Sequence, residues 1–460
     1  MTYSSASWHP GVSQTSAASL STSLSAYLPI PCRVSSVGSC SSFSVTRINW
    51  NIFAAIRAIL IQRRQQRRWY TLCVGVAQHC PHIVKMTIVI FPIEVDLSEL
   101  LADALVNLRR LEAFILRDHI AILPRALDHL ASLPALHTLY IGLQSARYPY
   151  GIRLTSANPF PQLSKVDIAV DSVELHISFL DGITSVHLEE VEFQLPVVQP
   201  TRVYTRLFMI LSQHPSSSVL NTLVFQFGPL QPSGSAQPLT EDDLSPLFRL
   251  RSLQSIGFGG QCYAAFNDLA LARAATAWPS IRYISLYSPM VQIPGNGFQA
   301  TGATLASLAV FAERCAHLES LNVILDDVDP AGLAALLEHK AHGPLLHTCE
   351  LTRLSVGPSR LSEGDVPALA AALSLLFPLI NEIAYCSGYT FQEVFDGRTR
   401  DGMVISPDPG FMEDLWSAVA DLVPSFTLVR MQERRWIVQR MRHRVVRDAP
   451  LESVHRLQHA

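Results

Sequence analysis

Three groups of side chains in this 460-residue sequence have types and spacings that could do chemistry. The densest is His339, His342, His347 and Cys349, four borderline-to-soft donors in one short stretch. Zinc needs four such donors at tetrahedral corners, and structural sites supply them in paired short spacings that this order lacks. The stretch lies between a helix end and a strand start, where histidines serve as solvated or capping groups. Cys73, His79, Cys80 and His82 form a looser set, and its cysteines read as buried or helix-adjacent at the start of an array. The third group is arginine. Ile52, Phe53, Ile56, Ile59 and Leu60 precede Arg63, Arg64, Arg67 and Arg68. A second run carries Arg430, Arg434, Arg435, Arg440, Arg442, Arg444 and Arg447 against Glu433 and Asp448. Basic helices attract phosphates and anionic surfaces, but the commoner role of such a run is a solvated face. The sequence carries no glycine-rich phosphate loop, nucleophile elbow or zincin helix motif. No catalytic, cofactor-binding or metal-ligating residue is assigned, and a non-enzyme without cofactor or small-molecule substrate is expected.

The elements that would position any of these groups must come from an apolar-rich chain. Apolar residues make up 48% and charged residues 16%, a profile that excludes a largely disordered protein. The formal charge of −3 implies no polyelectrolyte partner for the whole chain. The eight cysteines lack a framework spacing and fit reduced thiols in an intracellular compartment. The longest apolar run, Pro367 to Ile380, is shorter than the ~18 residues a membrane-spanning helix needs. A cytoplasmic or nuclear location is expected. The N-terminus holds no Asp or Glu before Glu94, which makes a mitochondrial presequence the alternative.

A six-residue pattern, apolar-x-x-apolar-x-apolar, runs along most of the chain. It reads Ile83/Met86/Ile88, Leu111/Phe114/Leu116, Leu136/Leu139/Ile141, Leu163/Val166/Ile168, Ile183/Val186/Leu188 and Leu220/Leu223/Phe225. It continues as Leu253/Ile256/Phe258, Ile281/Ile284/Leu286, Leu318/Leu321/Val323, Leu351/Leu354/Val356 and Ile380/Ile383/Tyr385. The last two anchors of each pattern stand two residues apart, on one face of a strand. Helical stripes precede several strands, as in Leu97, Leu100, Leu101, Ala104, Leu105 and Leu108. Start signals stand at Thr240 to Asp243, Ser362 to Asp365 and Asp329-Pro330. Units this short cannot bury their own apolar faces, so they must stack. The expected fold is an α/β solenoid, a leucine-rich-repeat-like horseshoe of degenerate repeats with parallel concave strands and outer helices. A doubly wound α/β sheet, which would carry an enzyme, is the alternative.

Four stretches add a more specific likeness: Leu239 to Leu247, Ala275 to Leu286, Thr304 to Leu321, and Leu415-Trp416 with Val429 to Trp436. Together they resemble the repeat region of the F-box/leucine-rich-repeat proteins expanded in mushroom-forming fungi, over roughly residues 70 to 440. The resemblance implies a substrate receptor of a cullin-type ubiquitin ligase, in which an F-box docks the ligase adaptor and the repeats hold a target. The F-box would lie before the first repeat; Leu28-Pro29 and Arg68-Trp69 echo its ends, with a serine-rich stretch between. An adaptor is a partner only if a cryptic or lost F-box exists. That family usually places Asn or Cys three residues after the last anchor, to tie neighbouring turns. Here the positions hold residues such as His119, Gln144, Asp171 and Val191.

The domain reading follows. Residues 1–45 are serine-rich and disordered, 46–70 a basic amphipathic helix, 71–390 the repeat array, 391–412 a loop, 413–448 one or more capping helices, and 449–460 a tail. The expected function is a protein-interaction scaffold that takes a protein partner on its concave face. The alternative, besides the enzyme, is an RNA- or membrane-associated protein acting through its basic termini. Residues alternating with the anchors are the candidate partner-binding set: Arg117, Tyr140, Lys165, Asp167, His187, Glu189, Tyr283, Tyr287, Asn322, Arg353 and Glu382.

Overall fold

The computed structural model describes residues 82–89, 97–117, 121–195, 201–228, 239–260, 264–287, 302–325, 332, 349–357, 359, 361–385 and 409–448. Eleven strands among them form one parallel sheet: β1 Lys85–Val89, β2 Ala113–Arg117, β3 Thr138–Leu143, β4 Lys165–Val170, β5 Glu190–Leu195, β6 Thr222–Phe227, β7 Ser255–Gly260, β8 Tyr283–Ser285, β9 Ser320–Val323, β10 Arg353–Val356 and β11 Glu382–Tyr385. Their order in the sheet is their order in the chain, and each strand pairs only with its sequence neighbours. That order is a solenoid of α/β units, and it excludes the doubly wound alternative, whose strand order reverses at a switch point.

Helices connect most of the strands: α1 Ser98–Leu105, α2 Pro124–Ser132, α3 Val173–Gly182, α4 Thr201–Gln213, α5 Glu241–Leu244, α6 Asp268–Ala277, α7 Leu305–Arg314 and α8 Val366–Leu376. Several start where a side chain satisfies a free backbone donor. Ser172 accepts from the Leu175 amide and Asn267 from the Ala270 amide. The box expected at Thr240 is formed, with the Thr240 amide and hydroxyl both donating to Asp243 at 2.9 and 2.7 Å. At Ser362 the same signal opens a 3-10 turn, Glu363–Asp365, before α8. The last helix, α9, spans Pro409–Asp448, so it begins inside the segment expected to be loop up to residue 412.

Burial alternates strictly along β3 and β4, which separates a core face from an open face. The core-face anchors Leu139, Ile141, Ile284, Leu286, Leu321 and Val323 are all buried, packed with the inward residues of the helices in one continuous cluster. An aromatic column runs through its middle. Phe193, Phe225 and Phe258 stack at 5.5 and 5.4 Å across β5, β6 and β7, and the Phe208 ring meets Phe225 edge-on at 5.0 Å.

One expected strand is displaced. The pattern Ile183/Val186/Leu188 is not β5: Ile183 caps α3, Val186 is exposed, and the strand starts at Glu190. The true anchors are Val191 and Phe193, with Leu188 as the leading residue. Helix α3 ends only at Gly182, and the chain needs the intervening residues to cross from the helix layer back to the sheet. The serine-rich 1–45 segment, the 46–70 helix, the tail, and the Cys73/His79/Cys80 and His339/His342/His347 groups lie outside the described residues.

Candidate functional site

The open face of the sheet carries two long rows of side chains in register, with a shorter third through Gly142, Ala169, Gln194, Gln226 and Gly259. One long row includes Thr138, Lys165, Glu190, Thr222, Ser255, Tyr283, Ser320, Arg353 and Glu382; the other runs through Tyr140, Asp167, Glu192, Val224, Gly257, Ser285 and Asn322. The strand period of two puts these rows opposite the core anchors.

At β3 to β5 the face is acidic and half-buried. Lys165 donates to Glu190 at 2.5 Å, which raises its pKa. Gln194 donates to Asp167 at 3.2 Å. Burial, then the charges of Asp167 and Glu190, push the Tyr140 phenol up. At β8 to β11 a second cluster forms. The Tyr283 hydroxyl donates to Glu319 at 2.5 Å, and the Arg282 guanidinium both pairs with Glu319 and lies 5.9 Å from the Tyr283 ring centroid. These two donors hold the Glu319 carboxyl below its usual range. Arg353 faces Glu382 at a looser 3.9 Å, both well exposed. Between the clusters, β7 offers Ser255 and Gly257 on the same rows, so the face there has little side-chain relief.

Of the expected residues, Tyr140, Lys165, Asp167, Tyr283, Asn322, Arg353 and Glu382 stand on the open face. Asn322 donates to Ser285 at 3.2 Å. Three expectations are corrected. His187 and Glu189 are exposed but precede β5, because the frame there is displaced, and Glu190, Glu192 and Gln194 take the face positions. Tyr287 is buried, and its hydroxyl reaches past β9 to within 2.7 Å of the Ser355 hydroxyl on β10, in register with Asn322, so it braces the face there and offers little contact area. Arg117 ends β2, and its side chain lies outside the described residues. The β5 residues were findable: reading Leu188/Val191/Phe193 as the anchors gives spacings of 25 and 32 residues to the flanking patterns, more even than 20 and 37.

Of the zinc-like group only Cys349 is described. It is buried, and its thiol points at the Cys315 carbonyl oxygen at 3.3 Å. Burial pushes the Cys349 and Cys315 thiols up to about 11 and about 12, the opposite of what a nucleophile or metal ligand needs. Among the described residues no helix is long and apolar enough to cross a membrane.

No protein-family model and no curated protein matches this sequence. Two crystal structures are similar at a low level. The leucine-rich repeat-containing protein LegL7 from Legionella pneumophila is 14% identical, with 76% of this chain and 94% of that chain covered at a TM-score of 0.32. A complex of Rad7 and Elc1 in yeast is 13% identical, with 70% and 82% covered at a TM-score of 0.24. The repeat-solenoid fold of this chain is read from its own strand order.

Proposed function

We propose that this chain is a protein-interaction scaffold that holds a protein partner against its open strand face. The observation that carries the reading is a parallel sheet of eleven strands, one face of which is left to polar and aromatic side chains. Adjacent strands lie ~4.8 Å apart whereas packed helices need ~8–10 Å, so stacked units bend with the strands on the inside. A curved sheet of this kind presents an extended concavity suited to a folded partner or a long peptide. Mixed acidic, tyrosine and arginine groups on that surface give contact area with polar ends, the composition of interface anchors.

The finer reading is a receptor-like relative of the F-box/repeat proteins, working in the cytoplasm or nucleus, with a cullin-ligase adaptor as second partner. It is supported by the sequence phrases at Leu239, Ala275, Thr304 and Leu415, and it requires a docking element before residue 82. The test uses the full chain, tagged and immobilised. Proteins it recovers from cell extract are compared with those of a Tyr140→Ala/Glu192→Ala/Tyr283→Ala variant and of a Val106→Ala/Met209→Ala/Leu269→Ala variant exposed on the helix side. Loss of a recovered protein in the first variant alone supports the scaffold reading; equal recovery by both folded variants refutes it. Direct binding of purified ligase adaptor to the full chain decides the finer reading.

A further inference from the structure

Helix α9 does two things along its length. Its first half caps the array: Met412, Leu415, Trp416, Val419 and Val423 are buried, and the Trp416 indole donates to the Ser359 carbonyl at 3.2 Å. Arg430 makes the last clamp, donating to the Ser374 hydroxyl and the Ala371 carbonyl at 3.1 and 3.0 Å. Beyond that point, up to Arg440, every described side chain is exposed. The helix runs on for eighteen residues to Asp448, a projection of ~27 Å at the rise of an α-helix.

The projecting half exposes Met431 at 48% and then a run of Trp436, Ile437 and Val438 at 65%, 56% and 45%, while Leu428 and Val429, 58% and 51% exposed, stand just before the clamp. From Arg430 to Asp448 the sequence supplies seven arginines against Glu433 and Asp448. The Arg440 guanidinium lies 4.8 Å from the Trp436 ring centroid.

The occupant follows from that chemistry. A second copy of the helix would set arginine against arginine. Phosphate groups of a nucleic acid would take the arginines but leave Ile437, Val438 and Met431 in water. A lipid surface needs one polar face, yet Trp436, Ile437 and Val438 follow one another at ~100° steps and cover more than half the circumference. What fits is an acidic protein that encloses a helix from more than one side with apolar grooves. Calcium-loaded EF-hand sensors have this character: calcium binding opens paired helices and exposes methionine-rich grooves that accept basic helices. We propose that the projecting half of α9 is a recognition helix for a calcium-loaded EF-hand sensor, with Met431, Trp436, Ile437 and Val438 seated in its grooves and the arginines against its acidic rims.

The experiment titrates the full chain with calmodulin as the probe, by calorimetry at near-physiological salt. The expected Kd is ~1 μM or tighter with calcium, with binding abolished by a calcium chelator. Trp436→Ala/Ile437→Ala and Arg435→Glu/Arg440→Glu should each weaken binding by ~10-fold or more, a loss of ~1.4 kcal/mol or more, while Val106→Ala/Met209→Ala leaves it unchanged. All six side chains are exposed, so circular dichroism should show the fold intact. No binding at ~100 μM, binding without calcium, or binding indifferent to Trp436 and Ile437 overturns the proposal. So does tighter binding to phosphatidylserine vesicles or to a single-stranded RNA than to calmodulin.

Discussion

Acid should loosen the centre of this solenoid through one side chain, His176. It lies on the inner face of α3, fully buried, its ring edge-on to Phe193 at 4.8 Å and its Nε2 3.1 Å from the Ile168 carbonyl oxygen. Burial lowers its pKa from 6.5 to about 4, against the weaker pull of that carbonyl. An unfolded chain therefore binds a proton at His176 below pH 6.5, while the folded chain refuses it until about pH 4. Stability must fall as the pH drops through that window, because the unfolded state takes up the proton first. Between pH 7 and pH 5 the linkage relation gives a loss of about 2 kcal/mol from this residue alone. His214, depressed by burial in the same direction, adds to the slope, so the wild-type curve cannot isolate either group. Substituting His176→Phe keeps a ring against Phe193 and removes the titration. Urea unfolding at pH 7 and pH 5, followed by far-ultraviolet circular dichroism, should show the variant losing about 2 kcal/mol less than wild type. The readout is the difference in pH dependence, since the lost bond to Ile168 shifts absolute stability at both pH values. Identical losses would refute the burial argument.

Truncating Phe225→Ala removes the middle ring of the aromatic column and should destabilise by about 3–5 kcal/mol, measured as a shift of the urea midpoint. Neither Cys315 nor Cys349 should react with an aromatic disulfide reagent at pH 8 in the native chain, and both should react after urea unfolding. Native-state labelling of either, located by mass spectrometry, would contradict their burial.

The fold was legible because one physical requirement repeats. Each unit must bury two strand residues two positions apart, with a third apolar residue leading in, and ten of the eleven patterns fall on their strands. The exception shows what the pattern cannot see. Ile183 is apolar and buried for the sake of α3, so it satisfies the leading position of the template without belonging to a strand. The face residues were legible wherever the frame was right. Tyr287 failed for another reason: β8 ends at Ser285, so the alternation stops before Tyr287, which is buried with its hydroxyl held across the face by Ser355 on β10.

What keeps such uneven repeats in register was hidden in the turns between helix and strand. The expected ladder, three residues past the last anchor, survives at Asp171, which accepts from the Ser145 amide at 2.8 Å, and at Ser359, which accepts from the Leu325 amide at 2.9 Å. Elsewhere unrelated side chains tie a turn to the carbonyl of an earlier unit: His129 to Leu108, His214 to Ile183, the Trp278 indole to Leu247, and the Cys315 and Cys349 thiols to Ala275 and Cys315. Imidazole, indole and thiol share only a polar hydrogen carried on a largely apolar body. That is all a buried turn requires, since a carbonyl left unpaired there would cost about 1–3 kcal/mol. A ladder defined by donor position and not by residue type leaves no fixed letter for a motif to match. It also explains how units of unequal length stack in strict sequence order: register is set locally, at each turn, by whichever donor reaches the unit before it.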